Sequence, residues 1–173
     1  GLILFEHLQA QATTPALVDA LTMSFYSAIL GRAIAEGTKF VDVEEAFISA
    51  LFHNLGRILA ALYLPDEVAI INASEGDTDV AVHSVLGMSY SALGIGVAST
   101  LKLPTKLAHS LTRVSGPQSR QSMTDSEKLA CVSTLANKIA DALAANTSAR
   151  HKRDAINALV ASYGAHFAAL NGK

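Results

Sequence analysis

The chain has 173 residues, 50% of them hydrophobic and 16% charged, with a mean hydropathy of +0.33. That suits one domain with a substantial core, is short for two, and argues against overall disorder. Thirteen Lys and Arg against fifteen Asp and Glu leave a formal charge of −2, so no global positive field exists to gather nucleic acid, and none is expected as a partner.

The segment Leu2-Ile3-Leu4-Phe5 with Leu8 opens the chain with apolar surface, and Gly1 in place of Met reads as a cut inside a longer protein. Thr14-Pro15 is a helix start: a side-chain oxygen for the free amides, then a proline whose missing N–H costs nothing in the first turn. This helix is expected to end at Gly37 and to turn Leu17, Leu21, Phe25, Ala28 and Ile29 toward the core. Asp42-Val43-Glu44-Glu45 reads as a reciprocal capping box opening a helix that continues to about Leu62. The apolar run Ala46–Leu62 is interrupted by His53, Asn54 and Arg57, which argues against a membrane span, and no signal peptide is visible.

Pro65-Asp66-Glu67 starts another helix, punctuated by Gly76. A short helix from about Asp79 to Leu86 is closed by Gly87 in a left-handed cap, and Ser89 caps the next, Tyr90 to Lys102. Gly94 and Gly96 lack the rest of a dinucleotide fingerprint and read as close helix packing. Leu103-Pro104 begins a further helix. Residues 115–123 form the one clear internal loop, expected to be the most mobile segment. Thr124-Asp125-Ser126-Glu127 is a second capping box, opening a helix to about Ala145, and a last helix runs from about Lys152 to Leu170 with Ile156, Leu159, Val160, Tyr163 and Phe167 on its apolar stripe. Arg150-His151-Lys152-Arg153 reads as a solvated helix start. The lone cysteine, Cys131, excludes an internal disulfide, suits a reducing compartment, and between Ala130 and Val132 should be a buried, inert thiol. No strand pattern or repeat competes, so the fold expected is an all-α, globular multi-helix bundle.

Three ordered motifs carry a specific resemblance: Glu45-Ala46-Phe47 through Leu51-Phe52-His53-Asn54-Leu55-Gly56-Arg57, then Leu86-Gly87-Met88-Ser89-Tyr90-Ser91-Ala92-Leu93-Gly94, then Leu101-Lys102-Leu103-Pro104. Together with Leu135-Ala136-Asn137-Lys138-Ile139-Ala140 they resemble the HDOD domain, over roughly Leu17 to Leu143. The resemblance implies a fold like that of the HD phosphohydrolases, among them cyclic-dinucleotide phosphodiesterases, with parts of the metal site missing. It also implies a place in bacterial signalling proteins, and a further helical half that a complete domain would carry before Leu2.

Carried over residue by residue, the resemblance puts Met23 or Ser24 where a hydrolase offers its first histidine and His53-Asn54 where it carries His-Asp. Tyr90 falls where another histidine would follow, no histidine pair occurs around Arg113-Val114-Ser115, and Asn137 stands in place of the final aspartate. A neutral amide is a poor ligand for a divalent cation, so with one ligand left no metal cofactor is expected. His53 is expected to be held by hydrogen bonds in or beside the core. Asn54, at helical spacing with Phe47, Leu51 and Ile58, should be a bonded amide on an apolar face. His7, His83, His109, His151 and His166 form no motif, and no serine nucleophile pattern appears.

The function expected is a non-catalytic, cytoplasmic signal-transduction domain that works through a protein partner or an adjacent signalling domain, with self-association through Leu2 to Leu8 as a further expectation. The alternatives are a residual metal-dependent phosphohydrolase and a module that binds a nucleotide, such as a cyclic dinucleotide, without cleaving it.

Overall fold

The computed structural model describes residues 14–114 and 123–170, with side chains as far as Gly164. Leu2 to Leu8, nearly all of the 115–123 loop and Phe167's side chain therefore lie outside the described residues. Among those residues there are nine helices and no strand: α1 Pro15–Thr38, α2 Val43–Phe52, α3 Leu55–Tyr63, α4 Pro65–Ala73, α5 Thr78–Leu86, α6 Tyr90–Thr100, α7 Thr105–Ser110, α8 Asp125–Ala144 and α9 Ala149–Leu170. The all-α expectation holds.

The caps explain most boundaries. Thr14 accepts from the Leu17 amide at 3.3 Å, and Ser89 from the Ala92 amide at 3.1 Å. Thr124 and Glu127 satisfy each other's end amides in a complete capping box. Gly87 closes α5 at φ 71°, a conformation that costs a glycine little. The Asp42 box is only half made. Asp42 accepts from the Glu45 amide at 3.0 Å, but the Glu45 carboxylate is drawn away to Lys106 on α7 at 2.6 Å.

Helix α8 is the axis of the fold, buried without interruption from Leu129 through Asn137. Around it pack α1, α2, α7 and α9, with Phe40, Ala46, Leu135 and Tyr163 in the main cluster. Cys131 is fully buried and its thiol is pushed up to about 11 by burial, as an inert core residue should be.

Two expectations fail. First, α1 buries Leu17 and Ala28 as expected, but with the small residues Ala20, Ser24, Ser27, Gly31 and Ala35, while Leu21, Phe25 and Ile29 point outward with Val18. The reason is the closeness of α2: a Cβ on Gly31 would stand 2.8 Å from the Ala50 Cβ, so only small residues fit between the helices. Second, the helix expected from Asp42 to Leu62 breaks at His53–Asn54 into α2 and α3. The Leu51 carbonyl, in the last turn of α2, takes a hydrogen bond from Ser24 Oγ at 2.7 Å. A side chain inserted into the backbone ladder in this way is a recognised cause of a kink.

Helix α3 lies against α6 at near backbone contact. A Cβ on Gly56 would fall 1.8 Å from the Tyr90 carbonyl oxygen and 2.9 Å from the Gly94 amide nitrogen. Gly94 thus serves close packing, whereas Gly96 faces open space. By length and apolarity Pro15–Thr38 and Val43–Tyr63 are each sufficient to cross a membrane, and the bent α5–α6 pair is a third such stretch. His53, Asn54 and Arg57 do not by themselves disqualify the second of these.

Candidate functional site

The break between α2 and α3 delivers Asn54 into the centre of the domain, with backbone angles (−95°, 12°) that are neither helical nor extended. Its side-chain amide donates to Asn137 Oδ1 on α8. The same oxygen accepts from Ser27 Oγ on α1 at 2.9 Å, while Asn137 Nδ2 donates to the Ser133 carbonyl at 2.8 Å. Three elements far apart in sequence are therefore tied through one amide, whose orientation is fixed by donors on one side and an acceptor on the other.

A second buried chain runs beside it. Ser110 Oγ donates to the Leu107 carbonyl at 2.8 Å and Ser49 Oγ donates to Ser110 Oγ at 2.7 Å. Each hydroxyl has one proton, so the 2.7 Å contact between Ser49 and Ser133 must be donated by Ser133. The order is Ser133 to Ser49 to Ser110 to the backbone, joining α8, α2 and α7 with every proton placed. Buried hydroxyls left unbonded would cost about 1–3 kcal/mol each.

His53 is the exception. Its ring is 4% exposed, and neither ring nitrogen has a hydrogen-bond partner among the described residues. The expectation that hydrogen bonds hold this histidine is therefore not met among the described residues. Burial, reinforced by the nearby positive charge of Arg113, lowers it from the ordinary 6.5 to about 4. The Ser110 backbone opposes this slightly without reaching hydrogen-bond geometry. At neutral pH the ring is an uncharged imidazole with an idle donor and an idle acceptor.

His53 and Asn137 share the lining of a cavity of about 300 Å³ with Thr134 and four charged residues, Asp79, Arg113, Lys138 and Asp141. A larger groove of about 780 Å³ adjoins it through Asp141 and is lined on the far side by Met23, Asp19, Tyr26 and Arg57. The Asp141 carboxyl is raised by crowding of the surrounding chain, with Arg57 and Arg113 opposing the shift and Asp79 adding to it. Its side chain is nonetheless open to solvent, since the residue lies at the mouth shared by the two spaces.

Of the residues singled out in the sequence, Asn54 and Asn137 bond to each other and His53 stands in the same cavity wall as Asn137. Met23 faces the adjoining groove, and Ser24 is buried and occupied with the Leu51 carbonyl. Tyr90, at the start of α6, lines neither space; burial raises its hydroxyl, and Arg57 opposes the shift. Sequence reasoning missed Ser27, Ser49, Ser110 and Ser133 as members of the network, and Asp79, Arg57 and Asp141 as charges of the site. The available signal was Ser24 and Ser27 recurring with Ala20, Ala28 and Gly31 on the small face of α1, a hint that the face is buried.

Chemically, the centre is closed around neutral amides and hydroxyls. Among the described residues no three His, Cys, Asp or Glu side chains converge as a metal would require. The donor set around His53 does not fit a hydrolytic metal centre, because Asn54 donates to Asn137, whose own amide donates to the Ser133 carbonyl, and neutral amides are weak ligands for a divalent cation. Among the described residues no carboxylate is bonded to His53 that could orient it as a base.

No curated protein and no solved structure matches the chain. The family model of the HDOD domain matches residues 2–117, about two thirds of the chain, and that span contains α1 to α7 with the broken helix and the Gly56–Gly94 contact, so the chain belongs to the HDOD family.

Proposed function

We propose that this is a non-catalytic regulatory domain that transmits a signal through protein contacts in the bacterial cytoplasm. The observation that carries the reading is the Ser27–Asn137–Asn54 bond, which fills the centre of the site with a self-satisfied neutral network. A network with no idle carboxylate supports a scaffold more than a hydrolase. The outward stripe of α1 supports the contact role: Val18, Phe25 and Ile29 are each at least half exposed and recur on one face with Leu21. A protein partner, an adjacent signalling domain or a second copy would cover such a face.

Elemental analysis of the purified domain, with assays on cyclic di-GMP and a generic phosphodiester, tests the catalytic half. The expected result is no stoichiometric transition metal and no turnover. About one metal per chain, lost together with hydrolysis on His53→Ala, overturns the reading. The apolar stretches of α1 and of α2–α3 make membrane fractionation of the full-length protein a necessary companion test. On our reading the protein stays in the soluble fraction, since both stretches spend Ser24, Ser27 and Asn54 on bonds inside the bundle.

A further inference from the structure

The outward stripe of α1 lies within one short tether of the apolar run that precedes it in the sequence. Val18, Leu21, Phe25 and Ile29 recur at spacings of three and four, each is at least 40% exposed, and none belongs to a hydrophobic cluster among the described residues. The described chain begins at Thr14, four residues before Val18, which is about 6 Å along the helix axis. Upstream of it stand Leu2, Ile3, Leu4, Phe5 and Leu8, joined to Thr14 by residues 9–13. Those five residues can span at most about 18 Å, ample to turn the run back along α1. Glu6 and His7 interrupt the run so that Leu2, Phe5 and Leu8 fall three apart, and Leu4 and Leu8 four apart, the spacing of neighbours on one helix face.

Area and concentration decide between the chain's own segment and a second copy as the occupant of the stripe. A second copy would have to build its interface on four partly exposed side chains, well short of the roughly 800 Å² and 20–30 residues a side of a stable dimer. A tethered segment meets the stripe at an effective concentration of order mM whatever the protein concentration, so at micromolar protein it outcompetes the same segment from another chain by about a thousandfold. We propose that Leu2 to Leu8 dock on the α1 stripe of their own chain as an antiparallel strap, with Leu8 and Phe5 against Val18 and Leu21 and Leu2 toward Phe25. This deepens the contact reading and rests on it for one consequence, that a partner must displace the strap. The strap itself is tested on the chain alone, so either can fail without the other.

The test is mild oxidation of the full chain carrying Phe5→Cys together with Leu21→Cys or Phe25→Cys, followed by mass mapping of the bond. Cys131 is buried and stays out of the reaction. At least one pair is expected to close within a single chain, at a yield independent of protein concentration, and several-fold faster than Phe5→Cys with Leu101→Cys, an equally exposed position just past the end of α6. A bond formed between chains, or closure no faster than the Leu101 control, overturns the proposal. Since the chain has no tryptophan, Phe25→Trp supplies a second readout. Adding Leu4→Asp and Phe5→Asp to that variant should shift its emission to the red and make it several-fold more open to acrylamide, with circular dichroism unchanged. Identical emission and quenching with and without the two aspartates overturns the proposal as well.

Discussion

The buried histidine should make the domain sensitive to mild acid, with a sign and size that follow from its surroundings. In the folded chain His53 binds its proton only near pH 4, against an ordinary 6.5 when the chain is unfolded. Between those values the unfolded state holds the extra proton, so stability is complete above about pH 6.5 and is lost as pH falls through that window. At about 1.4 kcal/mol per pH unit the full loss is about 3 kcal/mol, a large share of the stability of a domain this size. Asp141 works the other way, because a carboxyl raised by folding adds stability as pH falls, and Asp79, Arg113 and Lys138 face the same space. The difference between parent and His53→Leu isolates the ring. Urea unfolding measured from pH 8 to pH 4.5 should show the parent falling more steeply than His53→Leu. At pH 8 the leucine variant should be as stable as the parent or more so, since it removes two unbonded polar atoms from the interior. Parallel pH profiles for the two proteins would refute the assignment of His53 as a buried, partnerless ring.

Asn54→Asp should cost about 3 kcal/mol at neutral pH in chemical denaturation and should create no metal-dependent hydrolysis, because a buried carboxylate would face the Asn137 oxygen with no cation to neutralise it. Gly56→Ala should destabilise by about 3 kcal/mol, since its Cβ meets the Tyr90 carbonyl oxygen at 1.8 Å and backbone must move, whereas Gly96→Ala in the open face of α6 should gain up to about 1 kcal/mol; equal melting temperatures for the two would contradict the α3–α6 contact. Phe25→Asp, at a position 56% exposed, should leave the unfolding free energy within about 0.5 kcal/mol of the parent while abolishing any concentration-dependent light scattering, and Leu4→Asp with Phe5→Asp tests the terminal segment in the same assay.

What was legible in the sequence was local. Thr14, Ser89, Gly87 and the Thr124–Glu127 pair act on backbone groups within four residues, so their helix ends could be placed from neighbours alone. What was not legible depends on partners far along the chain. Glu45 abandons its capping box for Lys106, 61 residues on, and no pattern around Asp42 could announce it. The α1 face was misjudged for Leu21, Phe25 and Ile29 because large apolar residues were counted as core, when the Gly31–Ala50 approach leaves room only for small residues in that part of the helix. The break at His53–Asn54 contains no proline and follows from Ser24 taking the Leu51 carbonyl, a contact across 27 residues.

The HDOD motifs located the site but not its chemistry, and the reason lies in the pairing of the two asparagines. Two carboxylates at these positions would repel unless a cation sat between them, so a site of that kind is stable only with its metal. An amide carries a donor and an acceptor, so Asn54 can donate to Asn137 while Asn137 donates to the Ser133 carbonyl. Asn54 and Asn137, in place of two such acids, make a centre that holds α1, α3 and α8 together through its own side chains, with Ser27 as the third member. Either replacement alone would leave a carboxylate opposite an amide, still short of a counter-charge. The two positions are thus coupled: Asn54→Asp and Asn137→Asp should each destabilise, and the double variant should recover stability only if a divalent cation is added. Unfolding of the double variant with and without Mn²⁺ measures this directly. Recovery without metal would mean that the amide pair is not what holds the centre closed.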